Sequence, residues 1–181
     1  MILSKKDYKA YLQADATAME VDYNSLKGSL KAHLTNPRWR FVKKLRKVEL
    51  YKNTPGLFSK LLYAYYFISY KRFGMKLGYS IPPNVCGKGI SLPHYGTIVI
   101  SKYAKIGENV KIHVCVNIGA HIGNNAPVIG DNCYFGPGAK VFGGIKIGNN
   151  VLIGANAVVN KSFDEDNIVL AGIPAKIVKR L

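Results

Sequence analysis

Apolar residues fall six apart at Ile100, Ile106, Ile112 and Ile118, and again at Ile129, Phe135, Val141, Ile147, Ile153 and Val159. A helix repeats every ~3.6 residues and a strand every ~2, so neither alone explains this spacing. Short strands separated by turns do, each adding one inward side chain to a shared core, as in a solenoid. Four positions after most anchors stands a second apolar, mostly small residue: Val110, Val116, Cys133, Ala139, Ile145, Val151 and Ala157. Glycine follows the anchors at 107, 119, 130, 136, 148 and 154, while Asn109, Asn132 and Asn150 occupy corners where tight turns tolerate positive φ. At ~6 residues to a side, one coil of a triangular prism takes ~18.

Residues 1–78 lack the repeat and form a separate basic, aromatic-rich helical segment; residues 79–181 form the solenoid domain with its C-terminal tail. Tyr8, Tyr11, Leu12 and Met19 share a helical face over Asp7 to Met19, with Ser4 as N-cap. Asn36-Pro37 and Thr54-Pro55-Gly56 punctuate the segment, which predicts further helices over Arg38 to Tyr51 and Leu57 to Lys76. Gly78, Pro82 and Pro83 mark the entry to the solenoid. The N-terminus has no uninterrupted apolar stretch of the signal-peptide kind, so a cytoplasmic location is the expectation. Cys86, Cys115 and Cys133 form no CxxC pair and read as reduced structural thiols.

Between Asn36 and Lys76 eleven Lys or Arg face one acid, Glu49, which places ten of the chain's sixteen net positive charges there. Such a surface attracts polyanions, and the interleaved Trp39, Phe41, Tyr51, Phe58, Tyr63, Tyr65, Tyr66, Phe67, Tyr70 and Phe73 could pack on the solenoid or enter a membrane interface. Leu61 to Tyr70 is uncharged but too short to span a bilayer. A solvated helical face, peripheral contact with an anionic membrane at the inner face of the cell, and nucleic-acid binding stay open, the last supported by charge alone.

The repeat pattern resembles the left-handed parallel β-helix of hexapeptide-repeat acyltransferases over about residues 80 to 181. That resemblance implies a mainly β fold with an N-terminal α-helical segment. Just before the regular coils, Leu92-Pro93-His94-Tyr95-Gly96-Thr97 is similar to the histidine-glycine segment of serine acetyltransferases. His94 matches the family's general base. An alcohol is a slow nucleophile unless a group titrating near neutrality removes its proton as the new bond forms, and histidine suits that task. His113 is the rival base or an acceptor-orienting residue. Tyr95, Asn117 and His121 are candidate acceptor contacts, His121 opening the eleven-residue interval between Ile118 and Ile129 that interrupts the repeat.

The resemblance further implies a donor groove for acetyl-CoA, with Gly136, Pro137, Ala155 and Asn160 along the pantetheine arm and Lys161 and Lys176 facing phosphates. It implies a homotrimer, direct transfer without a covalent acyl-enzyme, and no metal. The chain departs from the serine acetyltransferase pattern at Ser80 and Pro93, where that family has aspartates, and at Ala126, where it has a histidine. Those gaps weaken amino-acid binding, so the sequence favours a sugar hydroxyl of surface polysaccharide biosynthesis as acceptor, as in the serine acetyltransferase-like enzymes of capsule and exopolysaccharide assembly. Serine, for cysteine biosynthesis, is the alternative. A zinc hydrolyase resembling γ-carbonic anhydrases, using His94, His113 and His121, and a non-catalytic polyanion-binding scaffold also remain.

Overall fold

The computed structural model describes all 181 residues, Met1–Leu181. Four helices come first: α1 (Lys5–Ala18), α2 (Leu26–Thr35), α3 (Pro37–Asn53) and α4 (Leu57–Leu77). Ser4 caps α1 by accepting the Asp7 N–H, and Asn36 caps α3 by accepting the Trp39 N–H, with Pro37 at the first helical position. Gly78 closes α4 in the left-handed conformation at φ 78°.

Helix α2 is absent from the sequence expectation. It buries no residue, and its row of Leu26, Leu30 and Leu34 stays exposed, so its periodicity marks no core. The only local signal is Ser25, whose hydroxyl accepts the Gly28 N–H.

Helix α3 carries the apolar face that docks the leader, with Trp39, Phe41, Val42, Leu45 and Val48 fully buried. Phe41 packs edge-on to Tyr79 at 4.9 Å and against Tyr70 at 5.5 Å, and Tyr51 stacks on Tyr66 at 5.4 Å, tying α3 to α4. At the centre of this contact lies Arg46, fully buried. Its guanidinium donates to Asp15 of α1 (2.8 and 3.2 Å), to Glu49 (2.9 Å), and to the carbonyls of Cys86 (3.0 Å) and Gly87 (2.6 Å). Asp15 in turn accepts the N–H groups of Gly89 and Ile90, and Glu49 that of Asn84. Burial opposes the charge of Arg46, but Glu49 and Asp15 outweigh it and hold the guanidinium firmly protonated. One of the eleven basic residues read as surface charge is therefore internal and neutralised.

The solenoid is a three-faced parallel β-helix. Its first face orders β1 (Tyr79–Ser80), β2 (Ile98–Ile100), β5 (Asn117–Gly119), β8 (Lys140–Phe142) and β11 (Val158–Val159). The second holds β3 (Lys105–Ile106), β6 (Val128–Ile129) and β9 (Lys146–Ile147). The third holds β4 (Lys111–Ile112), β7 (Tyr134–Phe135), β10 (Leu152–Ile153) and β12 (Ile168–Ala171), closed by the antiparallel β13 (Lys176–Arg180). All ten anchors of the six-residue repeat are buried and in register, for example Ile100 beside Ile118 and Ile118 beside Val141.

The edge between the second and third faces is the tightest. A Cβ on Gly107 would lie 2.6 Å from the Gly130 backbone, and one on Gly130 2.6 Å from the Gly148 carbonyl, so successive coils touch through bare backbone. Asn109, Asn132, Asn150 and Asn167 follow at φ between 53° and 60°. The cysteines are free, and burial pushes the thiols of Cys86 and Cys133 up to about 12 and about 11.

Candidate active site

The edge between the third and first faces gathers most of the candidate chemistry. Strand register places His113, which follows Ile112, on the same corner as Gly136, which follows Phe135, and Gly154, which follows Ile153. Pro137, Ala155 and Gly172 continue that corner in successive coils. His94 lies at the same edge one coil earlier, its ring centroid 6.0 Å from that of His113, which in turn lies 5.1 Å from Tyr134.

This first corner is enlarged. Ser91 pairs with Lys111 and Val99 with Asn117, so the chain takes eight steps where the next coil takes six, and two residues are extra. The excess pushes His94 and Tyr95 out into solvent, with Tyr95 67% exposed. His113 sits in the regular, tighter corner and is partly covered. Burial, followed by the charges of His94 and Lys111, lowers its pKa below that of an ordinary histidine, so it keeps its neutral form further into mild acid.

The backbone that carries His94 is clamped from the helical leader. Arg38 of α3 donates through Nη1 to the Pro93 carbonyl, the Tyr79 hydroxyl donates to the His94 carbonyl at 2.6 Å, and the Gly96 N–H donates to the Leu77 carbonyl at 2.9 Å. Burial pushes the Tyr79 phenol up, which keeps its proton available. Gly78 is required here on two counts, its positive φ and a Cβ that would lie 2.9 Å from the Gly96 backbone. Neither Arg38 nor Tyr79 stood out in the sequence, because each acts through a main-chain carbonyl and leaves no motif. Tyr79→Phe removes a hydrogen bond worth about 1 kcal/mol and should lower stability by about that amount, as read by chemical denaturation.

Beside His94 the end of α1 meets the solenoid in a concavity lined by Glu20, Arg38, Ser91, Leu92, Pro93 and Lys111, among others. One carboxylate and two cations thus line a space that His94 also borders. Asn117 lies on the first face next to Lys140, whose ammonium donates to the Cys115 carbonyl. His121, Asn160 and Lys161 are elsewhere, at the opposite edge of the first face: His121 begins the protruding loop after β5, and Asn160 and Lys161 follow β11, all exposed. Lys161 lies over the Phe163 ring at 5.5 Å. Lys176 opens β13, next to Ala175, whose N–H donates to the Val158 carbonyl.

The bacterial transferase hexapeptide family, described as six repeats, matches residues 126–161. The protein is a hexapeptide-repeat, left-handed β-helix protein with an N-terminal helical segment. Within that class it is similar to serine acetyltransferases. It is 43% identical over 97 residues to serine acetyltransferase of Staphylococcus aureus, a match covering 52% of this chain and 45% of that one, so the chain spans about half the length of the curated relatives it matches. Its structure superposes on serine acetyltransferase of Neisseria gonorrhoeae with a TM-score of 0.75 at 26% identity, covering 98% of this chain and 68% of that one. For soybean serine acetyltransferase complexed with serine the TM-score is 0.77 at 25% identity, covering 96% and 70%.

These relatives overturn the expectation of a sugar acceptor in polysaccharide biosynthesis. That expectation rested on the missing polar groups at Ser80, Pro93 and Ala126. Local substitutions were a poor guide because charge for an acceptor need not come from the matching positions, and here Glu20, Arg38 and Lys111 stand beside His94.

Proposed function

We propose that this chain carries the acetyl-transferring unit of a serine O-acetyltransferase that uses acetyl-CoA as co-substrate. The similarity to the Staphylococcus aureus enzyme over 97 residues carries the reading, supported by the placement of His94 on one edge with the small residues of coils further along. In this reading the acetyl-CoA arm lies along Gly136, Pro137 and Ala155, where small side chains leave the backbone accessible. His94 removes the hydroxyl proton of serine as the oxygen attacks the thioester carbon, the carbon–sulfur bond then breaks, and CoA leaves as its thiolate. His113, one coil along, orients the acceptor. Release of free thiol from acetyl-CoA that depends on L-serine tests the proposal; serine-independent background alone would refute it.

In the same reading Glu20 meets the ammonium of serine, and Lys111 with the remaining N–H groups of Arg38 meets its carboxylate; that all three line the concavity bordered by His94 supports it. Charge-assisted contacts of this kind contribute about 1.5–3 kcal/mol. Glu20→Gln should therefore raise KM for serine by about tenfold or more without moving KM for acetyl-CoA, measured by varying each substrate in turn.

A trimer belongs to the same proposal. His121, Asn160 and Lys161 are separated from His94 by the width of the first face, so a cleft using both edges needs a second copy to supply one of them. The protein has no helix long and apolar enough to cross a membrane.

A further inference from the structure

The inner face of α4 is accounted for by packing on α3, but its outer face is not. Phe58, Leu61, Tyr65, Ile68 and Met75 follow one another at intervals of three, four, three and seven residues, which lines them up along the helix. They are 73, 63, 67, 55 and 72% exposed. An apolar row on a water-facing helix, interrupted here by Arg72 between Ile68 and Met75, is uncommon unless something covers it.

Charge decides what that is. Helix α4 has no acidic residue, and its four cations, Lys60, Lys71, Arg72 and Lys76, make no ion pair. Arg40 and Lys44 of α3 extend the basic border, lining a groove with Tyr65, Ile68, Arg72 and Lys76. Burial, then the charges of Arg40 and Lys47, lowers the pKa of Lys44, and no carboxylate lines the groove it borders. A second copy laid on this row would bring cations against cations. Anionic headgroups would neutralise them while the apolar row sinks below the phosphate level, and the aromatic rings of Phe58 and Tyr65 suit that depth. At 21 residues α4 is ~31 Å long, enough to offer this face along its whole length to a surface.

We propose that the outer face of α4, bordered by Arg40 and Lys44, binds the surface of an anionic membrane. Attachment is peripheral and reversible, holding the solenoid at the membrane without inserting it. None of the residues lining the groove beside this face lines the concavity beside His94, so this inference stands independently of the acceptor and of the chemistry.

Sedimentation of the full chain with vesicles of phosphatidylcholine, with and without phosphatidylglycerol, tests it. Binding should require phosphatidylglycerol and fall as salt rises. Leu61→Asp combined with Ile68→Asp should weaken it by about tenfold or more, with far-ultraviolet circular dichroism and melting temperature retained. Lys71→Glu with Arg72→Glu, a second variant that leaves the apolar row intact, should weaken it similarly. Equal sedimentation with both vesicle types, or unchanged binding by both variants, would overturn the proposal. So would a smaller particle in analytical ultracentrifugation for Leu61→Asp with Ile68→Asp when wild type ignores vesicles, since the row would then be covered by another copy.

Discussion

His94→Ala should lower turnover by about 10²- to 10⁴-fold, the usual loss when a positioned general base is removed, while the protein keeps its fold and its affinity for CoA. The imidazole is exposed on an enlarged corner and its ring neighbour is His113, so little packing is lost with it. Its position depends on backbone contacts from Tyr79 and Arg38 that alanine leaves intact. In the proposed reading the donor binds along later coils, at Gly136 and Ala155, and its affinity should be untouched. His113→Ala should cost less and, in the proposed reading, appear partly as a raised KM for serine, because its ring lies 6.0 Å from that of His94. Full kinetics on both variants decides between them. If His113→Ala abolishes turnover and His94→Ala keeps most of it, the base has been assigned one coil too early.

Arg46→Met should destabilise the protein by about 3–5 kcal/mol, the cost of breaking a buried ion pair from one side. Methionine fills much of the same volume but leaves Asp15 and Glu49 buried against each other's charge, and frees the carbonyls of Cys86 and Gly87 from their donor. Replacing all three together, Asp15→Leu, Arg46→Met and Glu49→Leu, should recover part of the loss, because apolar groups of similar size need no counter-charge. Recovery should be incomplete, since Asp15 and Glu49 also accept N–H groups of Gly89, Ile90 and Asn84. Chemical denaturation of wild type, Arg46→Met and the triple variant measures this. A loss below about 1 kcal/mol for Arg46→Met, the range of an exposed pair, would contradict the structural role.

Much of the solenoid is legible from the anchors alone. Each repeated residue needs only its neighbours one coil away, so a period of six and the glycines after Ile106, Ile129 and Ile147 suffice to predict faces, edges and core. Helices α1, α3 and α4 are similarly visible because their caps and apolar faces are local. Helix α2 was not, since its leucines face water and periodicity there carries no packing information. The two extra residues at the His94 corner were hidden as well, because the coil before Ile100 has no anchor pattern against which to count them.

What the sequence by itself determined is therefore the part of the protein in which contacts repeat at short, constant separation: the prism, its edges and the candidate histidines upon it. Tertiary structure alone decided which of these meet. It put His94 and His113 on one edge with Gly136 and Ala155 and sent His121 to another. It brought Glu20 and Arg38 to His94 across more than fifty residues of chain, and it turned Arg46 inward between two carboxylates. Those outcomes depend on how a non-repeating leader docks on a regular solenoid. Docking is governed by the summed fit of distant side chains, which no spacing along the chain records.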